Sequence, residues 1–225
     1  MIDLFIQRLS DHTYIQSIWK AQITGQGQHT LPARGSWDFI FMKRQGSLSA
    51  LLVAPSKIAT VSDYSEAEAE YLGIKLVPGF FPVHLNANMM LHEVQNLEML
   101  NSVVIINGMH IEVPTFDTAE RFVDRLLQYG IFANDPIVQA ELADLDESVI
   151  SLRSVQRRFS RSTGIPKTHF ERIDQAAQAE TLLLNGASIA DTAYQMGYYD
   201  QSHLIRSLKM LRGFTPSQIR DTLRR

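Results

Sequence analysis

The chain contains no cysteine. That absence excludes disulfides, thiolate metal sites and cysteine nucleophiles together, and it fits a reducing compartment. No apolar run is long enough to span a bilayer. The opening MIDLFIQRLSDH lacks a secretory pattern, so the expectation is a cytoplasmic protein without membrane contact. In the front half His12, His29, His84, His92 and His110 never form the His-x-His pair that a strand-borne metal site commonly uses. No serine sits in the glycine-flanked elbow of a hydrolase nucleophile. Low-complexity segments and short-period repeats are missing as well. These gaps assign no catalytic residue, no metal and no cofactor, and the expectation is a protein that is not an enzyme.

What is present divides unevenly. The 225 residues, 45% hydrophobic, suffice for two modest domains or one large one. The net charge of −3 conceals an acidic front and a basic back. Ser148 to the end carries 12 Lys+Arg against 6 Asp+Glu, whereas residues 1–147 carry 9 against 18. A polyanionic partner would therefore meet the back half.

The front reads as β-rich. Asp38 to Met42, Leu48 to Val53, Ile58 to Val61 and Tyr71 to Val77 are short apolar or alternating runs, separated by the turn residues Gly35, Gly46, Pro55 and Pro78-Gly79. Such spacing suits a small sandwich or barrel. Helical patterning begins at Asp117 with Glu120, a capping box ahead of Phe122, Leu126 and Leu127. Asn134-Asp135-Pro136 is a break with proline at a first helical position. The expected domains are 1–130 and 131–225.

In the back half Ser188 to Pro216 reads as two helices around a tight turn. Ser188 and Asp191 form a capping box. Ile189, Ala193 and Met196 share a face. Gly197 ends the first helix with φ > 0, and Asp200 caps a second whose Leu204, Leu208 and Leu211 point inward. Its outward face offers Gln201, Ser202, His203, Arg206 and Lys209. This is the plan of a helix-turn-helix. An earlier echo runs from Ser151 to Gly164, with Leu152, Val155 and Phe159 expected inward and Arg153, Gln156 and Arg157 outward. A rod from His169 to Leu184, packing Phe170, Ile173, Ala177 and Leu184, would hold the two units apart.

The run Ser188-Ile189, Ala193, Gly197-Tyr198, Asp200-Gln201-Ser202-His203, Arg206, Lys209, Gly213 and Thr215-Pro216 resembles the second helix-turn-helix of the AraC/XylS family of transcriptional regulators. GSWDFIF followed by GIKLVPGFFPVHL resembles the cupin-like sensor domains that often precede that unit. The resemblance implies an α+β chain of two domains, an N-terminal cupin-like β-domain and a C-terminal all-α domain with two helix-turn-helix units. It also implies double-stranded DNA as partner, with a small-molecule effector, RNA polymerase and a second copy of the chain as further candidates. The family's outward positions touch base edges. Arginine forks match guanine and glutamine matches adenine. Arg153, Gln156 and Arg157 in the first head, and Ser202, His203 and Arg206 in the second, are therefore the expected base readers. Gln201, Lys209, Arg158 and Arg161 suit phosphate.

One departure concerns AELADLDESVI, where Glu141, Asp144, Asp146 and Glu147 would repel phosphate beside the first head. Trp37, Tyr71 and Phe80 are the expected effector-pocket residues. Adjacent Phe80 and Phe81 on an extended segment should face opposite ways, one to the core and one to a partner or the DNA-binding unit. Some DNA-repair alkyltransferases carry an AraC-like unit, but their chemistry needs cysteine. The rival reading is a small-molecule-binding or metal-dependent cupin whose helical tail is only a docking module.

Overall fold

The computed structural model describes residues 2–25, 27–64, 68–142 and 151–221. The front half is built from β1 (Ile2–Leu9), β2 (Ile15–Ile23), β3 (Gly27–Leu31), β4 (Asp38–Arg44), β5 (Ser47–Val53), β6 (Thr60–Tyr64), β7 (Ala69–Leu76), β8 (Phe80–Pro82), β9 (Val94–Leu100), β10 (Val103–Ile106), β11 (Met109–Glu112) and β12 (Phe132–Asn134). One antiparallel sheet runs β1-β2-β7-β4-β5-β9-β10-β11, with β3–β6 and β8–β12 as separate ribbons. On β4 the strand pleat sends Phe39 and Phe41 to one face. There Phe122, from a helix that follows the strands, meets both rings edge-on at 5.0 and 5.4 Å. A short helix, α1 (Ala87–Met90), precedes α2 (Ala119–Gln128).

Two local expectations shift. The third expected strand starts later, at Thr60, because Ser56 Oγ donates to the Ile58 carbonyl and the Ala59 amide leaves the sheet altogether. The expected capping box at Asp117 and Glu120 is not made. Thr118 is the N-cap, without a side-chain cap bond, and Glu120 instead accepts from Arg8 at 2.6 and 3.0 Å and from Ser10 at 2.9 Å. The Arg8 hydrogen bond holds the Glu120 carboxyl down at about 2, against an ordinary value of 4.5. A depressed carboxylate contributes stability that is fully present above about 4.5 and lost as the pH falls through about 2. Glu120→Gln should therefore lower the melting temperature at pH 7, and the gap to wild type should close near pH 2. A gap that stays constant across this range would remove the ion pair from the explanation.

Ile131 and Phe132 are buried in the front core, and β12 pairs with β8. The helical half comprises α3 (Pro136–Leu142), α4 (Leu152–Thr163), α5 (Lys167–Leu184), α6 (Ile189–Gln195), α7 (Gln201–Leu211) and α8 (Pro216–Asp221). Its core gathers Ile173, Ala176, Ala179 and Leu183 of α5 against Ala193, Leu204, Leu208, Leu211 and Ile219. The buried stripe of α5 is thus rotated from the expected one, with Leu183 inside and Leu184 at the surface. A smaller cluster joins Val138, Val155 and Phe159. Leu152, expected inward, is 78% exposed; it sits in the first turn of α4, beyond the packed pair.

The two halves are docked through backbone as well as side chains. The Arg34 and Ser56 backbones exchange both hydrogen bonds at 2.9 Å, tying two front loops together. From this platform Ala33 N–H donates to the Leu211 carbonyl and Ala59 N–H to the Met210 carbonyl, each at 2.8 Å. These carbonyls lie in the last turn of α7, where a helix has no partners of its own. The Trp37 indole donates to the Ser162 carbonyl at 3.1 Å, and His169 Nε2 donates to the Lys57 carbonyl at 2.8 Å. Gly35 lets the Phe170 ring approach so closely that a Cβ would lie 2.3 Å from it.

Candidate nucleic-acid interface

The second head forms as its local signals dictate. Ser188 Oγ accepts from the Asp191 amide at 3.0 Å and donates to its carboxylate at 2.6 Å, closing the N-terminus of α6. Gly197 adopts φ +69°, ending that helix in the left-handed region. Tyr198 then turns back into the core, its hydroxyl 3.2 Å from Ser207 Oγ. Asp200 caps α7 by accepting from the His203 amide at 2.6 Å. With Leu204, Leu208 and Leu211 buried, Gln201, Ser202, His203, Arg206 and Lys209 are left on the exposed side. Arg206 makes no ion pair among the described residues. His203 packs edge-on to Tyr198 at 5.2 Å, with Nδ1 3.5 Å from the Tyr199 amide. Lys209 reaches back to the Gly213 carbonyl at 3.1 Å.

In the first head Ser151 caps α4 and Gly164, at φ +67°, terminates it. Val155 and Phe159 are inward, and Arg153, Gln156 and Arg157 are exposed. Arg158, expected on phosphate, is committed elsewhere: its guanidinium holds both oxygens of buried Asp135 at 3.2 and 3.1 Å. Asp135 also accepts from the Ile137 amide at the start of α3, so this pair fastens α3 to α4. Sequence spacing places Arg158 on a helix but cannot show an acid 23 residues away. Of the acidic segment, Glu141 is paired with Lys167 at 2.8 Å, while Asp144, Asp146 and Glu147 lie outside the described residues. The rod between the heads, α5, has 18 residues, a length of about 27 Å.

The three expected effector residues part company. Trp37 is a docking residue, buried with its indole on Ser162. Phe80 is core, stacked on Tyr14 at 4.8 Å. Its neighbour Phe81 faces the helical half, where the Arg161 guanidinium lies 5.8 Å from its ring centre. Tyr71 alone lines a cavity, of about 430 Å³, with Lys20, Phe41, Lys43, Leu72 and Phe116. Burial raises the Tyr71 phenol above its ordinary value. A second opening, of about 570 Å³, lies between residues 81–88 and Arg157, Ser160 and Arg161 of α4. Partial burial lowers the His84 imidazole below its ordinary value. Sequence reasoning missed the docking loops and this second opening. The one available signal was Trp37 in a Gly-Ser-Trp turn, since a buried indole N–H needs a partner. Among the described residues no three His, Asp or Glu side chains converge as a metal site, and no helix is long and apolar enough to cross a membrane.

Residues 146–222 match a family model described as a helix-turn-helix domain. No curated protein matches the chain. Solved structures similar to it include ToxT from Vibrio cholerae in its P21 crystal form, at 10% identity over 97% of both chains with a TM-score of 0.46. ToxT bound to (E)-4-(8-methylnaphthalen-1-yl)but-3-enoic acid is similar at 12% identity over 97% of this chain and 99% of that one, also with a TM-score of 0.46. With the capped helices, the left-handed glycine turn and the exposed donor face in place, residues 146–222 are a helix-turn-helix DNA-binding domain of the AraC type.

Proposed function

We propose that the protein is a sequence-specific transcriptional regulator that seats α4 and α7 in successive major grooves of one duplex. The observation that carries this reading is the face of α7, where Arg206, with no ion-pair partner among the described residues, stands beside Gln201, Ser202 and His203 above a fully buried leucine stripe. A helix with that face fits a groove about 12 Å wide. The α5 rod of about 27 Å is close to the roughly 34 Å between equivalent grooves. The front domain gives the regulator its control. Its cavity at Tyr71 has largely apolar walls with two ammonium groups, Lys20 and Lys43, and one carboxylate, Glu70, which suit a small effector with an apolar body and a polar end. DNA is the partner bound in the cytoplasm; RNA polymerase and a second copy of the chain are the partners through which binding changes transcription.

Arg206→Ala tests the reading. In selection from a randomised duplex library, the variant should lose preference at one base position, with about 1–3 kcal/mol of discrimination removed there, and keep its ranking elsewhere. Unchanged rank and strength for every sequence would sink the assignment.

A further inference from the structure

We propose that the front domain is itself part of the DNA interface. The cleft between residues 81–88 and the C-terminal half of α4 seats a backbone phosphate of the duplex that α4 reads. The inference rests on the reading of α4 as a groove-entering helix.

Arg153, Gln156, Arg157, Ser160 and Arg161 follow one another at helical spacing and share one stripe of α4. The first three face outward as expected base readers. The last three form one wall of the 570 Å³ cleft, and Val83, His84, Asn86 and Asn88 of the front domain form the other. The face that would enter a groove thus continues into a space shared with the β-domain. The two walls are held in place. Arg161 lies 5.8 Å from the Phe81 ring centre, and Ser160 Oγ donates to Asn88 Oδ1 at 3.2 Å. Gly164 abuts the Ala87 carbonyl, 2.6 Å from where a Cβ would stand.

The chemistry of the lining selects the ligand class. Among the described residues it holds two guanidiniums, an imidazole, a hydroxyl and two carboxamides, and no carboxylate. Neither Arg157 nor Arg161 has an ion-pair partner among the described residues. Because Asn88 Oδ1 accepts from Ser160, the donor end of its amide remains for another acceptor. A lining rich in donors, with two arginine forks, matches a phosphate. The phosphate belongs to the duplex because of where the cleft lies. A helix about 10–12 Å across fills a groove of about 12 Å, so the sugar-phosphate chains run along its flanks. Residues 83–88 stand beside one such flank.

The test compares full-length wild type, Arg161→Gln and His84→Glu, with duplex affinity measured against salt concentration. Both altered side chains are exposed, and urea unfolding of each variant, with the same midpoint as wild type expected, checks that the Arg161 contact with the Phe81 ring does not hold the cleft together. Arg161→Gln should reduce the slope of log affinity against log salt by about 0.9, the loss of one phosphate contact. His84→Glu, which places a carboxylate in the front-domain wall, should weaken binding about tenfold at low salt. The preference among base sequences should be unchanged in both. Wild-type slopes in both variants, or tighter binding by His84→Glu, would overturn the proposal; the latter would make residues 83–88 an obstruction. Inorganic phosphate titrated without DNA is the third arm. Saturable binding that Arg161→Gln abolishes, together with an unaltered DNA slope, would overturn the duplex assignment in favour of a free-anion site. A wild-type chain that binds no duplex would instead sink the functional reading itself, a result the other arms do not give.

Discussion

Phe159→Ala should destabilise the protein by about 3–5 kcal/mol, the usual cost of emptying a fully buried phenylalanine site. Phe159 has no solvent exposure, and it packs with Val138 of α3, Val155 of α4 and Phe170 of α5, whose ring centre is 6.0 Å away. Three helices therefore meet on one ring, and the cluster is too small to close over the void. Urea unfolding of the full chain measures the loss. The first head should suffer most, with DNA protection at the half-site of α4 weakening before that of α7. A loss below about 1 kcal/mol would mean that this cluster does not hold the first head together.

Gly164→Ala combines two penalties that can be separated. At φ +67° an alanine pays the left-handed strain of about 1–2 kcal/mol. Its Cβ would also lie 2.6 Å from the Ala87 carbonyl oxygen and 2.9 Å from the carbonyl carbon, both backbone atoms of the front domain. Helix α4 and α1 must then part. Gly197 supplies the internal control: it has nearly the same angle, φ +69°, with nothing within 4 Å of the added carbon. Gly197→Ala should therefore show the strain alone, and Gly164→Ala should be the more destabilising by urea unfolding. Hydrogen exchange should speed up at residues 83–91 only in the Gly164 variant. Equal losses for the two, with unaltered exchange, would show that the α1–α4 contact carries no energy.

How far the sequence reached depends on how local the determining physics is. The α6–α7 unit was legible nearly residue by residue, because Ser188, Gly197 and Asp200 act on backbone groups within three positions of themselves. β4, β5 and β7 were legible from their apolar runs. β9 was not, since it alternates exposed and half-buried residues and buries none fully. What lay hidden was long-range. Nothing near Arg158 announces that Asp135 claims it, and nothing in Trp37 alone distinguishes a pocket wall from a docking bolt. The rotation of the α5 stripe has the same origin: Ile173 is common to both alternatives, and only the partner surfaces select Leu183 over Leu184.

The amide groups of Ala33 and Ala59 complete the last turn of α7 from outside its own domain. Helix α7 is in this sense a composite object, finished by residues about 150 and 180 positions upstream. Grafting the helical portion onto an unrelated sensor would strip two acceptors of their donors and leave them to solvent. Conversely, any displacement of the Arg34–Ser56 loops pulls on the C-terminal turn of α7 directly, with no intervening relay to dampen it.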